Sequence, residues 1–385
     1  MTTPLLIHTE AYFENGGARN IASFIREKGY SNPAILVDEG FAQSELFQEM
    51  EQNLQKEFGD VFVLQSRGTR EPTYAYLGEI TETFRKKDFD LMLGIGGGSA
   101  LDTAKAVAAL RTNPGDPLSY RGFDNLQQPG IPALLMPTTA GTGSEASYNA
   151  SFVDEDGNRK MGINGNHMFA KYAFLDGETT LTCPYKPALG AGVDAMVHCL
   201  EAFVCNNANP RSDMLAREGI RVIGRSLRSL KDDPTNVDAR LELLTGAFYG
   251  GIVQMNSGSG VAAALSYPLS VYYQVPHGIG GGMFAIDMIR YNIDAGFLKY
   301  AELAPLLGVG TADGSDEENA DAVHECLESL WRYLEVPTKL EEFGIEADRY
   351  DHVVSIMSTQ QPAFDQNPVP FTVESDVAGF LKKYI

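Results

Sequence analysis

Leu91-Met-Leu-Gly-Ile-Gly96-Gly97-Gly98-Ser99 runs directly into Ala100-Leu-Asp-Thr-Ala-Lys-Ala-Val-Ala-Ala-Leu110. The first part is a short apolar run of strand type, and the second places apolar residues at helical spacing. Consecutive glycines at the junction let backbone N–H groups approach a phosphate with no Cβ in the way, and the N-terminus of the helix adds partial positive charge. A plain strand-to-helix turn is the commoner fate of a lone glycine cluster. Three glycines in a row between strand and helix favour a diphosphate site.

Working outward, Ala34-Ile-Leu-Val37, Val61-Phe-Val-Leu64, Ala133-Leu-Leu-Met136 and Ala173-Phe-Leu-Asp176 read as further strands. Helix-period segments such as Gly17–Lys28 and Tyr76–Lys86 lie between them, and Val153-Asp-Glu-Asp-Gly157 reads as a hairpin turn. Alternating strand and helix predicts a parallel sheet covered on both faces. After Pro184 the strands stop, and helical patterns occupy 187–205, 212–231, 236–256, 315–335 and 373–384. The expected architecture is therefore an α/β domain over residues 1–183, followed by an all-α domain over 184–385.

The glycine loop is not the dinucleotide fingerprint of a first strand, which carries its ribose-binding acid about 20 residues downstream. Here the loop follows the third strand-like run, and the acid placed to take a ribose is Asp38, upstream at the end of the Val37 strand. A carboxylate there accepts a bond from a ribose 2′-hydroxyl and repels a 2′-phosphate, which favours NAD over NADP. The same residue type also suits a helix N-cap. A second loop of small residues, Pro137-Thr-Thr-Ala-Gly-Thr-Gly-Ser-Glu145, follows the next strand and strengthens the first. In open α/β sheets, ligands bind beyond the carboxyl ends of strands.

The 385 residues carry 30 Lys+Arg against 51 Asp+Glu, a formal charge of −21. That balance argues against nucleic acid or an anionic membrane as the main partner, since both are polyanions. Cys183, Cys199, Cys205 and Cys326 form no CxxC pair and read as reduced thiols of a cytoplasmic protein. Met1–His8 lacks the basic start of a signal peptide. The apolar stretch Val261–Tyr273 is too short to span a bilayer and contains Pro268.

Asp194-Ala-Met-Val-His198 sets a carboxylate and an imidazole one helical turn apart on one face, half of a site for a divalent metal. On its own such a pair is more often a surface or capping interaction. Val275-Pro276-His277-Gly278 supplies a second histidine, and only six occur in the chain.

Taken together and in this order, Gly96–Lys105, Pro137–Glu145, Asp194–His198 through Glu201-Ala202, Pro276-His-Gly278 and Gln366-Asn-Pro368 resemble the iron-containing, or group III, metal-dependent alcohol dehydrogenases along most of the chain. The resemblance implies an N-terminal nucleotide-binding domain with a parallel sheet, like that of dehydroquinate synthase, and a helical metal-binding domain. It implies that Asp38 takes the adenine ribose and that Gly97, Gly98 and Ser99 hold the pyrophosphate. Thr138, Thr139, Asn149, Lys160 and Leu181 would line the rest of the NAD site. Asp194, His198 and His277 match three of the family's four ligands to iron or zinc, while Ala263 stands where the usual third histidine belongs. Tyr267 occupies a position where some relatives carry another histidine, and it is a candidate proton relay.

The implied reaction is metal-assisted deprotonation of a primary alcohol with hydride transfer to nicotinamide, giving the aldehyde, in a homodimer. Polyols, sugars and sugar acids are candidate substrates, the last because the 3-deoxy-octulosonate (Kdo) 8-oxidases resemble this group. Two rival readings remain at this point. One is a metal-free dinucleotide-binding protein without turnover, favoured by Ala263. The other is a lyase on the same scaffold, disfavoured because Arg240 and Arg290 are the only basic residues from 232 to 290.

Overall fold

The computed structural model describes residues 5–67, 71–157 and 159–385. Met1–Pro4, the start of the N-terminal stretch read above, lie outside the described residues. The chain folds into two compact units. The first comprises Ile7–Ala188 with Pro234–Gly251, and the second includes Leu189–Asp233 and Ile252–Ile385. The sequence suggested one cut near residue 183. In the structure the division falls at 188/189, and Pro234–Gly251, part of a helical pattern, returns to the first unit.

Among the described residues nine strands are formed: β1 (Glu10–Phe13), β2 (Pro33–Asp38), β3 (Phe62–Ser66), β4 (Leu91–Gly96), β5 (Gly122–Phe123), β6 (Ala133–Pro137), β7 (Asn149–Asp154), β8 (Arg159–Asn164) and β9 (Tyr172–Leu175). Six of them make a parallel sheet in the order β1-β9-β6-β4-β2-β3. From β2 the chain moves outward to β3, then returns past β2 to β4 and continues outward to β6 and β9. The carboxyl ends of β2 and β4 therefore flank a topological switch point, where such sheets bind ligands. The short β5, β8 and β7 form a second sheet, in which β7 and β8 are an antiparallel hairpin with Asp154 opposite Arg159.

Alternation along the strands sorts the core onto two faces. Leu91, Leu93 and Ile95 of β4 and Leu134 and Met136 of β6 pack with Ile21, Ile25, Phe47, Met50 and Leu54. Met92 and Leu135 point the other way, into a cluster with Leu77, Phe84, Leu101 and Val107. Strands buried on both sides read as continuous apolar runs, and this is why they were legible. Gly94 lets the Gly98–Leu110 helix lie close on β4, since a Cβ there would stand 2.5 Å from the Ala104 Cβ.

The helices carry their own start signals. Ser44 and Thr73 accept from the backbone at Phe47 and Tyr76, capping Glu45–Phe58 and Tyr74–Arg85. In the second unit, Asn209 with Ser212 and Ser315 with Glu318 form capping boxes. The Tyr185–Val204 helix is long and apolar enough to cross a membrane, but 83% of its most apolar window is buried, which marks a core helix.

Two glycines settle a backbone contact in the first unit. A Cβ on Gly143 (φ +58°) would lie 2.5 Å from the carbonyl oxygen of Ala247, and one on Gly251 would lie 2.3 Å from that of Gly143. The loop after β6 thus meets the Val237–Asn256 helix backbone to backbone.

Asp176, fully buried after β9, ties that strand end to the Gly17–Asn20 turn. Its Oδ1 accepts from the Gly16 and Glu178 amides at 3.0 and 2.9 Å, and Oδ2 from the Ala18 amide at 2.9 Å. Replacing Asp176 with Ala would strand these amides at a cost of about 2–4 kcal/mol. The measurement is urea unfolding, where the midpoint should fall clearly; an unchanged midpoint would contradict the assignment.

Candidate functional site

Within the first unit, the residues read as a nucleotide site converge on the switch point. Asp38 ends β2, Gly96 ends β4 and Pro137 ends β6, and register places these strand ends side by side. Gly96 has φ +153°, and a Cβ on it would stand 2.8 Å from the Asp38 Cβ. Gly97 is the N-cap of the Gly98–Leu110 helix, and its side-chain space faces the Thr139 hydroxyl at 3.2 Å. Gly98 faces Thr142 at 2.6 Å, and the Thr138 amide donates to the Gly96 carbonyl at 2.9 Å. The two small-residue loops are therefore in direct contact. Asp38 Oδ1 also accepts from the Gly40 and Phe41 amides, so the residue does cap a short helix, Glu39–Ala42.

The remaining residues of the expected NAD site are spread around this centre. Asn149 begins β7, and its carbonyl accepts from Lys105 at 2.5 Å. Lys160 lies on β8 and pairs with Glu71 at 3.0 Å. Leu181 is exposed, next to a turn that Thr179 ties to the Pro137 carbonyl at 2.7 Å.

The sequence reading did not single out what holds the two loops together. Lys105 is buried, and its ammonium donates to the carbonyls of Ser144 (2.7 Å), Ser147 (3.1 Å) and Asn149. Those three bonds use its three protons. Asp102, one turn earlier on the same helix and 3.7 Å from that ammonium, accepts from the Ser144 hydroxyl and from the Ser151 amide at 2.8 Å. Glu145 is buried beside them, and its Oε1 has no hydrogen-bond partner among the described residues. The Asp102/Lys105 spacing in the glycine-loop helix was the available signal.

In the second unit the Tyr185–Val204 helix carries Asp194 and His198, both buried. His277 opens the next ligand element, the His277–Asp294 helix. Gly278 allows this junction, because a Cβ there would lie 2.2 Å from the Gly190 carbonyl oxygen and 2.6 Å from the Asp194 Cβ. Asp194 Oδ1 stands 3.5 Å from His198 Nε2 and 3.8 Å from His277 Nε2, and the three donor atoms lie within 4.8 Å of one another. Tetrahedral ligands at about 2.1 Å from a zinc ion would be separated by about 3.4 Å. One carboxylate and two imidazoles suit zinc and ferrous iron alike. The residues present therefore fit a divalent cation.

The Val261–Tyr273 helix supports this cluster. The Ser266 hydroxyl donates to the Ala263 carbonyl at 2.6 Å, so its oxygen is left to accept from His277 Nδ1 at 2.5 Å. That tautomer turns the bare Nε2 of His277 toward Asp194. Tyr267 lies flat on the same imidazole, with ring centroids 4.6 Å apart and planes 15° apart. Ala263 is buried on the same helix, one turn before Tyr267. Glu201, seven residues after Asp194, is half-buried as a residue; desolvation of its carboxyl pushes it up to about 7 against hydrogen bonds that favour the charged form. Beside it is a cavity of about 20 Å³, bordered also by Asn292 and Tyr300, with room for about one water.

Residues 8–177 match the family model for iron-containing alcohol dehydrogenase, and residues 188–384 match its C-terminal counterpart. The chain belongs to the iron-containing alcohol dehydrogenase family, and it is an oxidoreductase of the alcohol dehydrogenase type. It is 28% identical over 387 residues to the lactaldehyde reductase of Escherichia coli K12, covering 98% of each chain. It is 31% identical over 304 residues to long-chain-alcohol dehydrogenase 1 of Geobacillus thermodenitrificans, covering 77% of this chain and 75% of that one. The fold is shared with the sulfoacetaldehyde reductase of Bifidobacterium kashiwanohense, solved with NAD+, at a TM-score of 0.88, 22% identity and coverage of 100% and 99%.

Glu145 makes the first unit sensitive to pH. Burial pushes its carboxyl from an ordinary 4.5 up to about 7, and attraction to Lys105 offsets this only in part. Between those values the folded chain keeps a proton that the unfolded chain releases, so the contribution is favourable at low pH and is lost as pH rises from 4.5 to 7. The loss amounts to about 3 kcal/mol. Urea unfolding should show Glu145→Gln gaining stability over the native chain by about that much between about pH 5 and about pH 8. A gap that does not widen with pH would refute it.

Proposed function

We propose that this chain is an NAD-linked, metal-dependent dehydrogenase that passes a hydride between a primary alcohol and the nicotinamide, giving the aldehyde. The observation that carries the proposal is the convergence of Asp194, His198 and His277 to one set of ligand atoms in a member of this family. Bound there, a divalent cation supplies Lewis-acid polarisation of the alcohol oxygen. The chain's own residues do the rest. Ser266 and Tyr267 orient His277, and Tyr267 relays the hydroxyl proton. Gly97, Gly98 and Ser99, at the start of a helix, offer backbone N–H groups to the pyrophosphate. Thr138, Thr139, Asn149, Lys160 and Leu181 line the remaining cofactor surface.

Asp38 at the carboxyl end of β2 takes the adenine ribose and repels a 2′-phosphate. The substrate is a small alcohol, polyol, sugar or sugar acid, and the enzyme works in the cytoplasm as a homodimer. The nucleotide-binding part is the first unit, Ile7–Ala188 with Pro234–Gly251. Ala263 favours a second reading, a dinucleotide-binding protein with neither metal nor turnover, because it leaves three protein ligands where the family carries four.

Elemental mass spectrometry on protein purified without chelators separates the two readings. About one zinc or iron per chain, lost in Asp194→Ala, together with NADH formed from a panel of primary alcohols and sugar acids, is the expected result. No metal, and none taken up from zinc or ferrous solutions, leaves the second reading. For Asp38, NAD should bind at least about 10-fold more tightly than NADP, and Asp38→Ser should narrow that ratio through tighter NADP binding. A ratio unchanged by the substitution would remove Asp38 from the ribose site.

A further inference from the structure

Glu201 has no part in the metal cluster itself, yet it is the most fully engaged carboxylate near it. Oε2 accepts from the Ser259 hydroxyl at 3.2 Å and the Gly260 amide at 2.8 Å, while Oε1 accepts from the amides of Ala262 (2.7 Å) and Ala263 (3.2 Å). Four donors occupy the acceptor positions of a carboxylate. All four belong to the start of the Val261–Tyr273 helix or the residues just before it. That helix has Gly260 as its N-cap and so no capping side chain of its own, and its first-turn amides would otherwise be orphaned. A local Ser or Asp at the cap position would satisfy them equally well. Here the cap instead comes from about 60 residues away, on the helix that carries Asp194 and His198.

The spacing gives this arrangement its consequence. Asp194, His198 and Glu201 follow one another at i, i+4 and i+7, along one stripe of a single helix. The first two provide donor atoms, and the third grips the helix whose Ser266 and Tyr267 hold the ring of His277. The negative carboxylate at the positive end of the 13-residue helix adds a favourable charge–dipole term to the four bonds.

We infer that Glu201 is the positioning residue of the metal centre, fixing the Val261–Tyr273 helix to the ligand helix and thereby setting His277 in line with Asp194 and His198. The inference rests on the metal reading above and extends it to a residue outside the ligand set. It also accounts for Gly260, where a Cβ would stand 2.8 Å from the Glu201 carboxyl group.

The test uses the full chain and the metal alone. Zinc affinity is measured by competition with a chromophoric chelator, and the ligand field by the visible spectrum of the cobalt-substituted protein. Glu201→Gln keeps the size of the side chain but replaces two acceptor positions with donors. It should weaken zinc binding by about 10–100-fold and shift the cobalt bands, while NAD affinity stays within about twofold of the native chain. A lower melting temperature with unchanged zinc affinity and superimposable cobalt spectra would overturn the inference, since that is all a purely structural cap would do. Should Glu201→Gln fail to fold, Gly260→Ala pushes the carboxylate aside with every hydrogen-bonding group retained. The same loss and the same spectral shift are expected of it, and their absence overturns the inference. The native chain is titrated in parallel. If it binds no metal, the metal reading and this inference both fail; if it binds zinc and the variants bind equally well, only the role of Glu201 fails.

Discussion

The parallel-sheet half depends on one buried ammonium. Lys105 spends its three protons on three carbonyls of the segment 144–149, and burial lowers its pKa because there is no water to solvate the charge. Lys105 gathers carbonyls that the regular ladders leave under-satisfied: Ser144 and Ser147 lie in irregular chain, and Asn149 stands at the first position of β7. Asp102 supplies compensating negative charge, joined by Glu145 once its carboxyl ionises near pH 7. Because Lys105 sits on the helix that begins at the glycine loop, whatever fixes Lys105 also fixes where the helix's first amides point. The contacts of Gly97 and Gly98 with Thr139 and Thr142 follow from this anchor.

The helical half obeys a different constraint. Three ligand atoms, from Asp194, His198 and His277, are gathered within 4.8 Å of one another, two of them on buried side chains and the third on a half-buried one. Such a gathering is unfavourable unless a cation joins it or the surrounding scaffold enforces it. The scaffold is visible in small residues and buried polar ones: Gly278 permits the approach of two helices, and Ser266 and Glu201 hold the third. The absence of a side-chain ligand at Ala263 leaves that third helix with a supporting role.

Much of this was legible in the amino-acid order, for physical reasons. Strands buried on both faces cannot hide, so β2, β3, β4, β6 and β9 stand out as apolar runs, and a glycine loop after β4 needs no partner to be recognised. The Asp194/His198 pair is likewise local, a matter of one helical turn. The edge strand β1 and the two-residue β5 were not singled out, since Glu10-Ala-Tyr-Phe13 is too short and too mixed to show a period. The returning segment Pro234–Gly251 was also missed, because a helical pattern says nothing about which core it joins. Lys105, Glu201 and Ser266 lay inside recognisable segments, but their roles come from contacts 11 to 62 residues away, which no local pattern encodes.

The meeting of Gly143 with Gly251 bears on how this chain can be improved by design. Replacing a helical glycine with alanine is among the commonest routes to a more heat-resistant protein, because it removes disorder from the unfolded chain. Gly251 lies inside the Val237–Asn256 helix and would be chosen on that ground. There the added methyl would enter the carbonyl of Gly143 at 2.3 Å and press on the loop that Lys105 anchors. The helix carries its weakest helix former where the loop after β6 needs it thin, so resistance to heat and the geometry of that loop are set against each other at a single position.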